Sequence, residues 1–80
     1  MNYFEIKLYQ DDVEKFVNIV SKSHGEFTLR SKTRSMIVDP KSILGVLALD
    51  LTDELILEHF GLETIGDILD FRESIKEFLA

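Results

Sequence analysis

The eleven residues Asp39-Pro40-Lys41-Ser42-Ile43-Leu44-Gly45-Val46-Leu47-Ala48-Leu49 open like a helix and then run apolar almost without interruption. Asp39 is a side-chain acceptor for free backbone N–H groups, and Pro40 suits a first turn, where its missing N–H costs nothing. A short helix is predicted over about residues 40–49, ended by the turn Asp50-Leu51-Thr52-Asp53. A helix of two to three turns in a chain of 80 residues cannot bury every side. Val46 and Leu49 are assigned to the sheet side, with Gly45 allowing close approach. Ile43, Leu44 and Leu47 are then left as a partly exposed apolar patch, either a candidate interaction surface or one that packs under neighbouring loops or in a homodimer. Ser42 stands at the helix start beside that patch, where its chemistry alone reads as that of an ordinary first-turn serine. A phosphate on it would meet free N–H groups and add about two negative charges next to the docking surface. Lys41, Arg30 and Arg34 are expected close enough to pair with it.

Working outward, Phe4, Ile6 and Leu8 alternate with Glu5, Lys7 and Tyr9, the pattern of a half-buried strand. Asp11 and Asp12 precede Val13, Phe16, Val17 and Val20, an i, i+3, i+4, i+7 stripe with acids at its favourable end. Ser23-His24-Gly25 stops that helix. Phe27 and Leu29 mark a second strand, Ser31-Lys32-Thr33-Arg34 a hairpin tip, and Met36 and Val38 the inner face of a third. Glu54 to Phe60 reads as a fourth strand, broken by Gly61. Ile65, Ile68, Leu69, Ile75, Phe78 and Leu79 mark a C-terminal helix, ordered from near Asp67 because of Gly66. The order is βαββαβα, an α+β sandwich with four strands and helices on one face. Residues 1–80 are read as one domain.

Charge is unevenly divided. Residues 1–49 carry seven bases and six acids; residues 50–80 carry two bases and nine acids. The net charge of -6 argues against generic binding to nucleic acid or anionic membrane, which needs a basic face. With no cysteine there is no disulfide, thiolate cage or thiol nucleophile. No apolar run nears the roughly 18 residues of a membrane span. The start Met1-Asn2-Tyr3-Phe4-Glu5 lacks a basic n-region, so a cytoplasmic location is expected. His24 is read as an exposed turn histidine and His59 as a sheet-edge or surface one. Neither has a second ligand at metal spacing, and no nucleophile–base pair or phosphate loop is present, so no metal, cofactor or enzyme activity is expected. Asp67, Asp70, Glu73 and Glu77 read as a solvated helix face.

The Lys41-to-Leu49 segment closely resembles the regulatory-serine helix of HPr, the histidine-containing phosphocarrier of the sugar phosphotransferase system, whose pattern is Lys-Ser-Ile-Met-Gly-Val-Met-Ser-Leu. The βαββαβα order is also that family's, and Phe16-Val17 matches the inner face of its first helix. The resemblance implies an HPr-like open-faced β-sandwich: a four-stranded antiparallel sheet with three helices on one side. The family places Gly-(Leu/Ile)-His-(Thr/Ala)-Arg-Pro between first strand and first helix. There the histidine takes phosphate from phosphoenolpyruvate by way of enzyme I. Here that stretch is Leu8-Tyr9-Gln10-Asp11-Asp12-Val13, with no histidine, arginine or proline. Carboxylates at about 3–6 Å repel an incoming dianion by about 1–4 kcal/mol in a surface dielectric.

The resemblance therefore implies a phosphocarrier-family protein not competent for histidine phosphotransfer, with Tyr9, Gln10, Asp11 and Asp12 as a degenerate active-site loop. It would act as a regulatory docking module, similar to the catabolite-repression HPr homologues. Ser42 would be the acceptor for an HPr kinase/phosphorylase, and Lys41, Ile43, Leu44 and Leu47 would bind a phosphotransferase-system protein or transcriptional co-regulator. The chain would be a monomer or weak dimer. Two alternatives share the same residues: an active phosphocarrier using a non-standard residue, and an ACT-like regulatory domain, whose βαββαβ core is similar.

Overall fold

The computed structural model describes residues 2–80; Met1, the first residue of the stretch read for a leader, lies outside them. Four strands form one antiparallel sheet: β1 (Tyr3–Ile6), β2 (Glu26–Ser31), β3 (Ile37–Val38) and β4 (Leu55–Phe60), in the order β1-β4-β2-β3. Three helices, α1 (Val13–Ser21), α2 (Ile43–Leu47) and α3 (Ile65–Ser74), complete the βαββαβα order of the HPr-like open-faced sandwich.

The core follows the apolar pattern. Phe4, Ile6 and Leu8 from the first strand region meet Val13, Phe16, Val17 and Val20 of α1, all buried. Leu55 and Leu57 of β4 and Leu29 of β2 are fully buried on the same face. Phe16 meets Phe78 edge-on at 5.6 Å, and Phe27 stacks on Phe71 at 4.7 Å. Ile56 lies on the uncovered face yet is 6% exposed. Its register neighbours are Glu5 and Arg30, long side chains whose stems can cover apolar surface while their charges stay wet.

The structure departs from the sequence reading at five places. First, the helix predicted over about residues 40–49 is only Ile43–Leu47. Its cap is Ser42, whose Oγ accepts from Gly45 N at 3.1 Å, while Asp39 closes its own turn by accepting from Lys41 N at 2.9 Å. Gly45 relieves that turn and not the sheet, because a Cβ there would stand 3.2 Å from the Asp39 carbonyl oxygen. Second, β3 has only two residues, and Met36 is exposed. Ser31 belongs to β2, and bonds from Ser31 and Thr33 to Asp53 hold the chain to the 50–53 turn, not to a longer hairpin. Third, His59 is 6% exposed on the inner face of β4, 5.4 Å from the Phe4 ring. β4 is paired on both sides, so its residues cannot be at an edge, and the two-residue alternation carries His59 inward with Leu55 and Leu57.

Fourth, α3 begins at Ile65, since Thr64 Oγ1 caps it by accepting from Asp67 N at 3.0 Å. Ile65 and Leu69 point outward, 77% and 58% exposed, and Phe71 takes the inner position. Fifth, the helix stops before Phe78. Lys7 N donates to Phe78 O at 2.8 Å and Ala80 N to Glu5 O at 2.9 Å, so the tail lies along the outer edge of β1. No helix among the described residues is long and apolar enough to cross a membrane.

Gly61, which ends β4, has φ +83° and no atom nearer than 4.0 Å to a Cβ built on it. Gly61→Ala therefore tests backbone conformation alone and is expected to cost about 1 kcal/mol. An unchanged urea midpoint would show that the turn relaxes freely.

Candidate functional site

Tyr9 and Gln10 are far in sequence from Leu47, the last residue of α2, but the fold brings them together in the lining of one open groove of about 740 Å³. Lys7, Leu8, Tyr9 and Gln10 line it together with Leu47, Leu49, Asp50 and Leu51. The loop after β1 is a single 3-10 turn, Gln10–Asp12, running directly into α1. Asp12 N donates to Tyr9 O at 2.9 Å, and Tyr9 N donates to the Asp12 carboxylate at 3.0 Å. Asp12 is thereby spent on its own turn, and Tyr9 projects into solvent.

Beside the groove stand the three apolar side chains assigned to the patch. Leu44 is 81% exposed, Ile43 43% and Leu47 44%, whereas Val46 is fully buried. α2 packs on α1 through Val46's side and cannot turn both faces inward in five residues. Ser42 is half-buried, its hydroxyl oxygen held by the Gly45 N–H.

The basic groups expected around Ser42 are engaged elsewhere. Lys41 Nζ donates to Ser23 O and Gly25 O, both at 3.1 Å, and stands 5.7 Å from the Phe27 ring centre. It thus ties the start of α2 to the loop between α1 and β2. Arg30 projects from the uncovered face of the sheet toward Glu58 at 3.8 Å, and Arg34 pairs with Asp50 at 3.8 Å. Position, not charge, separates Arg30 from Ser42: β2 is in the sheet, and α2 covers its other face.

Lys7, Leu51 and Thr52 line the groove without having been singled out in the sequence. Lys7 Nζ donates to the Leu51 carbonyl across 44 positions of chain and lies 5.2 Å from the Tyr9 ring centre. No local signal encodes such a contact. His24 is exposed, as expected. Among the described residues no group of three or more His, Cys, Asp or Glu could hold a metal ion.

No family model matches the chain, and no curated protein matches it. Among solved structures it is similar to the histidine-containing phosphocarrier protein of a mycoplasma, with a TM-score of 0.65 and 16% identity over 94% of this chain and 90% of that one. A likeness at that identity establishes a shared fold.

Proposed function

We propose that this chain is a regulatory docking protein built on the phosphocarrier fold, not a histidine phosphocarrier and not an enzyme. The observation that carries this reading is the exposed apolar surface of Ile43, Leu44 and Leu47 beside the groove. A cluster of apolar side chains left 43–81% exposed on one short helix marks a surface for a partner. The loop that shares the groove supports the same reading. Tyr9-Gln10-Asp11-Asp12 offers no imidazole for a phosphoramidate, and its carboxylates disfavour an incoming phosphate.

Ser42 is the regulatory residue in this reading, a role supported by its resemblance to the regulatory serine of the HPr family. A phosphoryl group on its oxygen would put about two negative charges against Ile43 and Leu44, changing which partner tolerates the surface. The expected partners are an HPr kinase/phosphorylase and a transcriptional co-regulator or phosphotransferase-system protein, met in the cytoplasm by a monomer or weak dimer.

Incubation with an HPr kinase/phosphorylase and ATP is expected to add one phosphoryl group to the wild-type chain and none to Ser42→Ala, read by intact mass. An unmodified wild type removes the regulatory serine. The Ser42→Ala chain should also lose about 1 kcal/mol of stability with its helix cap. Leu47→Asp should cost about 1–2 kcal/mol and leave the chain folded, since over half of the side chain is buried at the end of the helix. Retained binding of a co-regulator to that variant would remove the docking surface.

A further inference from the structure

We draw no further inference here: the strongest candidate, the apolar groove at the end of α2, carries nothing beyond the docking reading, because its lining carboxylate Asp50 is already met by Arg34 and Thr52 and nothing in the structure shows what covers its leucine surface.

Discussion

Phe16→Ala is expected to remove a quarter or more of the chain's stability. Phe16 is wholly buried on α1 and meets Phe78 edge-on, so truncation removes both apolar burial and an aromatic contact. Phe-to-Ala changes in cores cost about 3–5 kcal/mol. At about 0.05–0.15 kcal/mol per residue, a chain of this size holds only about 4–12 kcal/mol in all. The loss should also spread. Phe78 is the residue whose carbonyl accepts from Lys7 N, so freeing its ring loosens the tail along β1 and, with it, the end of β1 that bears Lys7. The check is a urea titration followed by circular dichroism, with exchange of the Lys7 amide as the local readout. Ile65→Ala, at a side chain 77% exposed, is the control and should move the midpoint by no more than about 0.5 kcal/mol. Equal effects of the two substitutions would remove Phe16 from the centre of the core.

Asp53→Ala is the second large effect, and its signature is acid dependence. One carboxylate oxygen of Asp53 accepts from the Ser31 hydroxyl, the Thr33 hydroxyl and the Thr33 N–H, the last at 3.2 Å. The Ser31 bond first, then the Thr33 hydroxyl, hold the carboxyl down from 3.8 to about 2. A depressed carboxyl stabilises the fold above its unfolded value, and that contribution is lost as pH falls through the folded one. The wild type should therefore melt several degrees above the variant at neutral pH, with the gap closing between pH 3.8 and about 2. Because the donors are neutral, added salt should leave the gap largely intact. Ser31 is 1% exposed, so the variant also strands a buried hydroxyl, and part of the loss should persist in acid. A gap that ignores pH altogether would show that the charge contributes nothing. The functional consequence is local: the turn that Asp53 anchors carries Asp50, Leu51 and Thr52 into the groove.

These two residues differ in how far they could be foreseen. Phe16 sits in the Val13, Phe16, Val17, Val20 stripe, and period alone assigns it to the core. Asp53 reads only as part of a turn; its donors lie 20 and 22 positions away, and nothing in the sequence marks them as partners. The same split runs through the site. Ile43, Leu44 and Leu47 were legible as exposed because Val46 and Leu49 claim the buried side. The positions of Arg30 and Lys41 were not legible, because proximity in composition says nothing about which face of the sheet a side chain occupies. Helix ends were misplaced for a related reason: capping by Ser42 and Thr64 is a matter of one hydroxyl and one N–H, and several nearby residues could have supplied it.

The chain's sequence by itself determines the βαββαβα order, the buried stripes of β1, β2 and α1, the acidic second half and the apolar surplus of α2. All of these are periodic or compositional properties, carried by neighbours in the chain. Only the tertiary structure decides that β4 lies between β1 and β2, that His59 is therefore inside, and that the tail closes the edge of β1. It alone brings Tyr9 and Gln10 into one groove with Leu47 and Leu51. Which residues meet across some 40 positions of chain follows from strand order and register, and those are settled when whole faces pack, not by any local preference.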